Sequence, residues 1–147
     1  MASTAGRRTF VVRLADWDQD RSELGRLRHR VFVVEQGVPE ELEWDGEDAC
    51  AVHLLALDRA SRPIGVARLL PTGQIGRMAV LPEWRARGVG SALLREILRI
   101  ARDQGHPSPF LNAQTTALGF YRRMGFIPVG EEFQEAGIPH RRMILDQ

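Results

Sequence analysis

Lysine does not occur in this chain: all 20 basic residues are arginine, set against 19 acidic ones for a formal net charge of +1. The missing lysine excludes a Walker-type phosphate loop. The even balance excludes the net basic excess of a general nucleic-acid binder. An all-arginine set is what codon bias in a GC-rich genome would produce. Arginine forks also suit phosphate oxygens. Acidic residues are interspersed among them in most segments, so a local anion site is the reading that survives. Cysteine is nearly absent too. Cys50 alone excludes an internal disulfide and a multi-cysteine metal site, and its place in the apolar run from Ala49 to Leu57 predicts a small buried thiol. His29, His53, His106 and His140 show no close metal-ligand spacing, so no metal is expected. No apolar run reaches membrane-span length, and the opening MASTAGRRTF lacks the core of a secretory leader. The expectation is a cytoplasmic protein without membrane association.

What is present is an ordinary globular composition, 44% hydrophobic and 27% charged over 147 residues, enough for one good core. No repeat, low-complexity tract or linker interrupts it, so residues 1–147 are expected to form one domain. Phe10–Leu14 is predicted as a strand. Asp18–Val34 carries Leu24, Leu27, Val31 and Val34 at helical spacing. Glu40–Asp48 reads as a solvated loop or short helix. Cys50–Asp58 and Pro63–Leu70 form a hairpin around residues 59–62, and Gln74–Val80 follows as a third successive strand. Val89–Gln104 is the strongest helix signal, with Leu93, Ile97, Ile100 and Ala101 on one face and Gly105 as its stop. Phe110–Ala113 is a strand, Thr115–Met124 a helix, and Phe126–Val129 and Arg142–Leu145 the last strands. Successive strands in the middle imply antiparallel pairs, and the β-α-β order near the end implies a parallel one. The fold class is therefore α/β (α+β): a mixed, mostly antiparallel sheet of six to seven strands with helices on both faces.

The informative stretch is Gly76 to Leu94, read as a strand, a loop, a glycine-bearing turn and the first turn of the long helix. The first N–H groups of a helix lack internal partners, and with the helix dipole they form an anion site. Gly88 and Gly90 remove side chains that would hold a phosphate away, and Arg85 and Arg87 add positive charge. A plain strand-to-helix turn would use the same glycines, and the third glycine of a dinucleotide fingerprint is missing.

Arg85-x-x-Gly88-x-Gly90 resembles the Q/R-x-x-G-x-G/A signature of the Gcn5-related N-acetyltransferases (GNAT). It is preceded by Met78-Ala79-Val80 and Pro82-x-x-Arg85. Leu111-Asn112-Ala113-Gln114 followed by Gly119-Phe120-Tyr121-Arg122-Arg123-Met124-Gly125-Phe126 is similar to the family's second hallmark. Three further stretches resemble its ElaA/YjcF-type branch: Arg30 to Pro39, Asp48 with His53, and Glu135-Ala136-Gly137-Ile138-Pro139-His140 with Met143. Ala136 departs from that branch, which often has an acidic residue there.

The resemblance implies a sheet splayed between its fourth and fifth strands, with acetyl-CoA as co-substrate and no metal. The coenzyme would lie along Met78, Ala79 and Val80 like an added strand, with Asn112 at the opening. Its diphosphate would rest on the turn formed by Arg85, Arg87, Gly88, Val89, Gly90 and Ser91. It further implies direct transfer to a small-molecule or peptide amine in a ternary complex, with Tyr121 as general acid. The family's glutamate on the central strand has no counterpart, since Gln74, Ile75, Gly76 and Arg77 occupy that stretch. The base is open among Glu35, His53, Glu132, Glu135 and His140, with His140 and Glu35 placed in the catalytic set. The acidic loop could attract a cationic acceptor. No nucleic acid partner is expected, and a homodimer is admissible. The alternative is an acyl-CoA-binding sensor without efficient catalysis.

Overall fold

The computed structural model describes residues 9–146; the reading of the opening segment as free of a leader lies outside them. Seven strands form one sheet: β1 (Phe10–Ala15), β2 (Val52–Asp58), β3 (Pro63–Leu69), β4 (Gln74–Val80), β5 (Phe110–Gln114), β6 (Phe126–Glu135) and β7 (Ile138–Leu145). Their order is β1-β2-β3-β4-β5-β7-β6. Every neighbouring pair is antiparallel except β4 and β5, which the α3 crossover (Val89–Asp103) makes parallel. The mixed sheet expected from the chain's punctuation is the one observed.

Helices cover both faces, and the strands' period of two decides which residue meets which helix. Leu54, Ala56, Ile64 and Leu69 pack with Leu93, Leu94 and Ile97 of α3. Their neighbours Leu55, Leu57 and Val66 point the other way, onto Leu24, Leu27 and Val31. Leu93, Leu94 and Ile97 have no solvent exposure, and each such burial stabilises by about 1.5–3 kcal/mol. Gly65 permits the close approach: a Cβ there would meet Val89 Cγ1 at 2.9 Å and Leu93 Cδ1 at 3.1 Å. The short α4 (Leu118–Arg123) lies on the α3 side, its Leu118, Phe120 and Tyr121 packed against the same cluster.

The chain departs from the sequence reading in four places. Helix α1 (Trp17–Arg28), capped by the Asp16 carboxylate on the N–H groups of Asp18 and Gln19, stops six residues early. A π-helix, His29–Glu35, replaces its last turns, with the Gln36 N–H bonded to Val31 O at 3.1 Å. The wider turn rotates Val34 off the apolar stripe, leaving it 69% exposed. Cys50 is exposed rather than buried, because β2 begins only at Val52 and Cys50 ends a 3-10 turn, Asp48–Cys50. The acidic stretch does contain a short helix, α2 (Glu40–Glu43), but Glu43 and Asp48 are buried rather than solvated. The last hairpin is longer than expected. Its register shifts between Val129 and Phe133, where Gly130, Glu131 and Glu132 break the alternating pattern without ending the strand.

Candidate active site

Strands β4 and β5 pair only at Gln74↔Phe110 and Ile75↔Leu111, then separate. The gap is a cleft of about 1170 Å³, running from Gly88, Gly90 and Ser91 past Met78, Ala79, Val80, Asn112 and Tyr121 to Glu135 and His140. The splay expected between the fourth and fifth strands is therefore present.

A bulge sets which groups of β4 face that gap. Val66 pairs with Ala79 and Arg68 with Gly76, so two β4 residues oppose Ala67 alone. Leu70 donates to Gln74 O, and Leu81 donates to Ile64 O, both at 2.9 Å. Unbroken alternation from Gln74 would turn the N–H groups of Met78 and Val80 towards β3. The extra residue shifts the phase, so Ala79 and Leu81 serve β3 while Met78 and Val80 face the gap. The Val80 carbonyl accordingly accepts from Arg85 Nε, at 3.0 Å. Arg77 occupies the bulge at φ 45°, a left-handed conformation costing an L-residue about 1–2 kcal/mol.

At the other end of the cleft, Gly88 turns the chain into α3 at φ 87°, and no side chain caps the helix. The N–H groups of Val89, Gly90 and Ser91 lie ahead of the first helical bond, Ala92 N–H to Gly88 O at 3.0 Å. Backbone donors and helix dipole together suit a phosphate oxygen. The arginines differ from expectation. Arg85 is neutralised by Glu35 in a bidentate pair of 2.6 and 2.7 Å, and Arg87 lies over the Trp84 ring at 3.9 Å. The Arg85 guanidinium, partly offset by desolvation, holds the Glu35 carboxyl below its usual range. A committed, weakly basic carboxylate is a poor proton acceptor, so Glu35 leaves the set of base candidates and becomes the clamp on the Arg85 loop.

The remaining polar groups divide by face. Tyr121 packs on the α3 side, edge-on to Phe120 and Phe126 at 5.0 and 6.1 Å. Burial pushes its phenol up to about 12. On β7, Met143 and Leu145 join the α3-side cluster, so His140, by alternation, belongs to the other face. Asn112 and Gln114 do too, since Leu111 and Ala113 point to α3. Gln114 Nε2 donates across the cleft to Gln36 Oε1 at 2.8 Å. Ile138 O, which can only accept, lies 2.7 Å from His140 Nδ1, placing the imidazole proton there. His140 Nε2 is thus the free lone pair, with Glu135 Oε2 3.5 Å away. His53 and Glu132 do not line the cleft. His53 is buried, stacked on Trp17 at 4.9 Å, and bonded through Nε2 to Asp48 O at 2.8 Å. Burial, outweighing the Asp48 contacts, lowers its pKa.

On the α1 side an ion network forms part of the cleft wall through Glu43, Asp45, Arg68 and Arg77 and continues into the interior at Arg28 and Asp48. Arg28 meets Glu43 at 3.2 Å and Asp48 at 2.8 Å. Arg68 meets Asp45 at 2.8 Å and Asp48 at 3.1 Å. Arg77 meets Glu43 at 3.0 Å and Asp45 at 3.3 Å. Three guanidiniums thus face three carboxylates. Burial raises the Asp45 pKa, but Arg68, the Glu47 N–H and Arg77 outweigh it and leave the group at about 2. Neither this network nor the Gln36–Gln114 bridge was singled out by sequence reasoning; their members lie as far as 78 residues apart, with no local pattern joining them. Among the described residues no cluster of three or more His, Cys, Asp or Glu could hold a metal ion, and no helix is long and apolar enough to cross a membrane.

Residues 18–147 match a family profile described as an acetyltransferase (GNAT) domain. The chain is 37% identical over 124 residues to the uncharacterized N-acetyltransferase YjcF of Bacillus subtilis, covering 82% of this chain and 88% of that one. It is 35% identical over 124 residues to ElaA of Escherichia coli, covering 78% and 80%. A crystal structure of an acyl-CoA N-acyltransferase from Pseudomonas aeruginosa superposes with a TM-score of 0.82 at 30% identity, covering 92% of this chain and 99% of that one. The crystal structure of Escherichia coli ElaA gives 0.82 at 29% identity, covering 93% and 99%.

Proposed function

The chain belongs to the GNAT acetyltransferase family, in its ElaA/YjcF-like branch, and from that membership we propose that it transfers an acetyl group from acetyl-CoA directly to the amine of a small molecule or peptide, with both bound at once. Acyl transfer from an acyl-CoA is the family's activity; the acceptor and the residue roles are the proposal. The observation that carries it is the aperture between β4 and β5, which joins the uncapped start of α3 on one face to His140 and Glu135 on the other.

The residues fit the coenzyme. The Val89, Gly90 and Ser91 N–H groups would hold its diphosphate, and the gap-facing N–H groups of Met78 and Val80 would bond the pantetheine arm as an added strand. When bound, the coenzyme supplies the acyl group as an activated thioester. A gap-facing β4 N–H would stabilise charge on the acyl oxygen. His140 Nε2 would take the proton of the attacking amine, and the Glu135 carboxylate would steady the imidazolium that results. Tyr121, kept protonated by its burial, would give its phenolic proton to the departing sulfur.

Gly90→Glu tests the coenzyme site. A Cβ at Gly90 meets Phe120 at 3.5 Å, an ordinary contact, so the fold should survive while a carboxylate meets the diphosphate. Calorimetry with coenzyme A should detect no binding by the folded variant. Wild-type affinity in that variant would end the assignment.

A further inference from the structure

Among Gln74, Ile75, Gly76 and Arg77 of the central strand, the structure gives Arg77 a specific task. It sits at the β4 bulge at φ 45°. Its guanidinium meets Glu43 Oε2 at 3.0 Å and Asp45 Oδ2 at 3.3 Å, and donates to Glu43 O at 3.2 Å. Glu43 is 2% exposed and is gripped in turn by Arg28; Asp45 is gripped by Arg68. The bulge alone turns the Met78 and Val80 N–H groups into the gap. Its most strained residue is tied to a network whose other members sit on α1, β3 and the α2 segment.

We propose that Arg77 is a positioning residue: its ion pairs with Glu43 and Asp45 hold the β4 bulge in the phase that presents the Met78 and Val80 N–H groups to the acyl thioester. This rests on the coenzyme reading above. The network is electroneutral, its Arg28, Glu43, Asp48 and Arg68 are buried, and its pairs are directional, so they constrain the geometry of what they hold. A relaxed bulge would return β4 towards strict alternation and withdraw one donor from the acyl oxygen, while the α3 anion site stays intact. Arg77 therefore acts on the reaction more than on coenzyme binding.

The test compares wild type, Arg77→Gln and Arg77→Lys by three measurements: coenzyme A affinity by calorimetry, thiol release from saturating acetyl-CoA at a fixed high concentration of ethylamine, and amide hydrogen exchange over residues 74–80. For Arg77→Gln the expectation is a 10- to 100-fold slower release, in line with losing part of one oxyanion donor, with coenzyme A affinity changed less than threefold. Exchange should quicken at Ala79, whose N–H would leave β3, should not quicken at Met78, and should stay unchanged in α3. Arg77→Lys, which keeps a charge for the two carboxylates, should recover part of both effects. Unchanged release and unchanged exchange in Arg77→Gln would overturn the proposal, as would equal losses in the Gln and Lys variants. If Arg77→Gln does not fold, Asp45→Asn takes its place with the same expectations, because Asp45 is partly exposed and Arg77 keeps Glu43. If ethylamine proves no acceptor, the exchange comparison alone decides. Failure of the wild type to bind coenzyme A would sink the coenzyme reading while leaving that comparison standing.

Discussion

Beneath α3, Leu54, Ala56, Ile64 and Leu69 meet Leu93, Leu94 and Ile97 with no charge among them. Across the sheet, Leu55, Leu57 and Val66 meet α1 in the same manner, but beside them three arginines and three carboxylates are joined in one network, four of the six buried. One face is held by area and shape, which tolerate small shifts. The other is held partly by directional pairs, which do not. The site straddles the two: the coenzyme end and Tyr121 lie on the apolar side, His140 and the polar wall on the ionic side. In the proposed reading, non-directional packing suffices to seat a helix whose N-terminus would hold the coenzyme, whereas the acceptor side would need angles that fixed charges can supply.

The sharpest way to break that comparison is to unpair the ionic face. Arg28→Met leaves Glu43 and Asp48 short of a cation in a site 1% exposed, and breaking such a pair costs about 3–5 kcal/mol. Urea unfolding should show a loss at least as large as that for Ile97→Ala on the apolar face, about 2–5 kcal/mol. Adding Asp48→Asn should then recover part of the loss, because fewer charges are stranded. Strictly additive losses would show that the two faces are held alike.

Next in size is a chemical comparison. Tyr121→Phe keeps the ring against Phe120 and Phe126 and removes only the proton, so turnover should fall about 10- to 1,000-fold with coenzyme A affinity little changed. Full activity in Tyr121→Phe would reduce the apolar side to binding alone. His140→Gln, on the ionic side, should slow the reaction most on the plateau of the pH–rate profile and least on its acid limb, where a histidine base is already protonated.

The smallest effect separates the faces by pH. Asp45 lies at about 2 against an ordinary 3.8. Its contribution is present above about pH 4 and is lost as pH falls towards 2. Tyr121 lies at about 12 against an ordinary 10.0. Its contribution is complete below pH 10 and is lost as pH rises through 12. At about 1.4 kcal/mol per pH unit, the Tyr121 shift amounts to roughly 2–3 kcal/mol at most, and that of the exposed Asp45 to less, because solvent screens it. The chain has one tyrosine and no lysine, so little else titrates in the alkaline window. Urea midpoints should therefore fall at both extremes, with Tyr121→Phe removing most of the alkaline loss and Asp45→Asn reducing the acid one, to which Asp20, Glu35 and Asp48, also held below their ordinary range, contribute.

Legibility follows the same division. The α3 stripe, the Gly88-x-Gly90 turn and the strand order were all readable, because apolar periodicity and glycine placement are local signals. Tyr121 came from resemblance to a family. The bulge was hidden because Gln74–Val80 looks like an unbroken strand, and a phase shift in N–H direction leaves no trace in hydrophobicity. The ion network was misread as solvated loop, since Arg28, Glu43, Asp48, Arg68 and Arg77 are paired only by the fold. The last strand was expected only from Arg142; β7 begins at Ile138 and includes His140, because the polar run Gly130-Glu131-Glu132 bulges the hairpin instead of ending it.

The π-helix has a consequence for how this chain can change by insertion and deletion. Its wide ring holds one residue more per turn than an α-helix would, which is why Glu35 and Gln36 end where Arg85 and Gln114 can reach them. Deleting one residue between His29 and Val34 would let the segment close into α-helix and swing its end by about 100°. The amphipathic face of α1 would be unaltered, yet both tethers across the cleft would be released in a single genetic step. A lineage carrying that deletion would keep the coenzyme half of the enzyme and remake the wall that its acceptor meets.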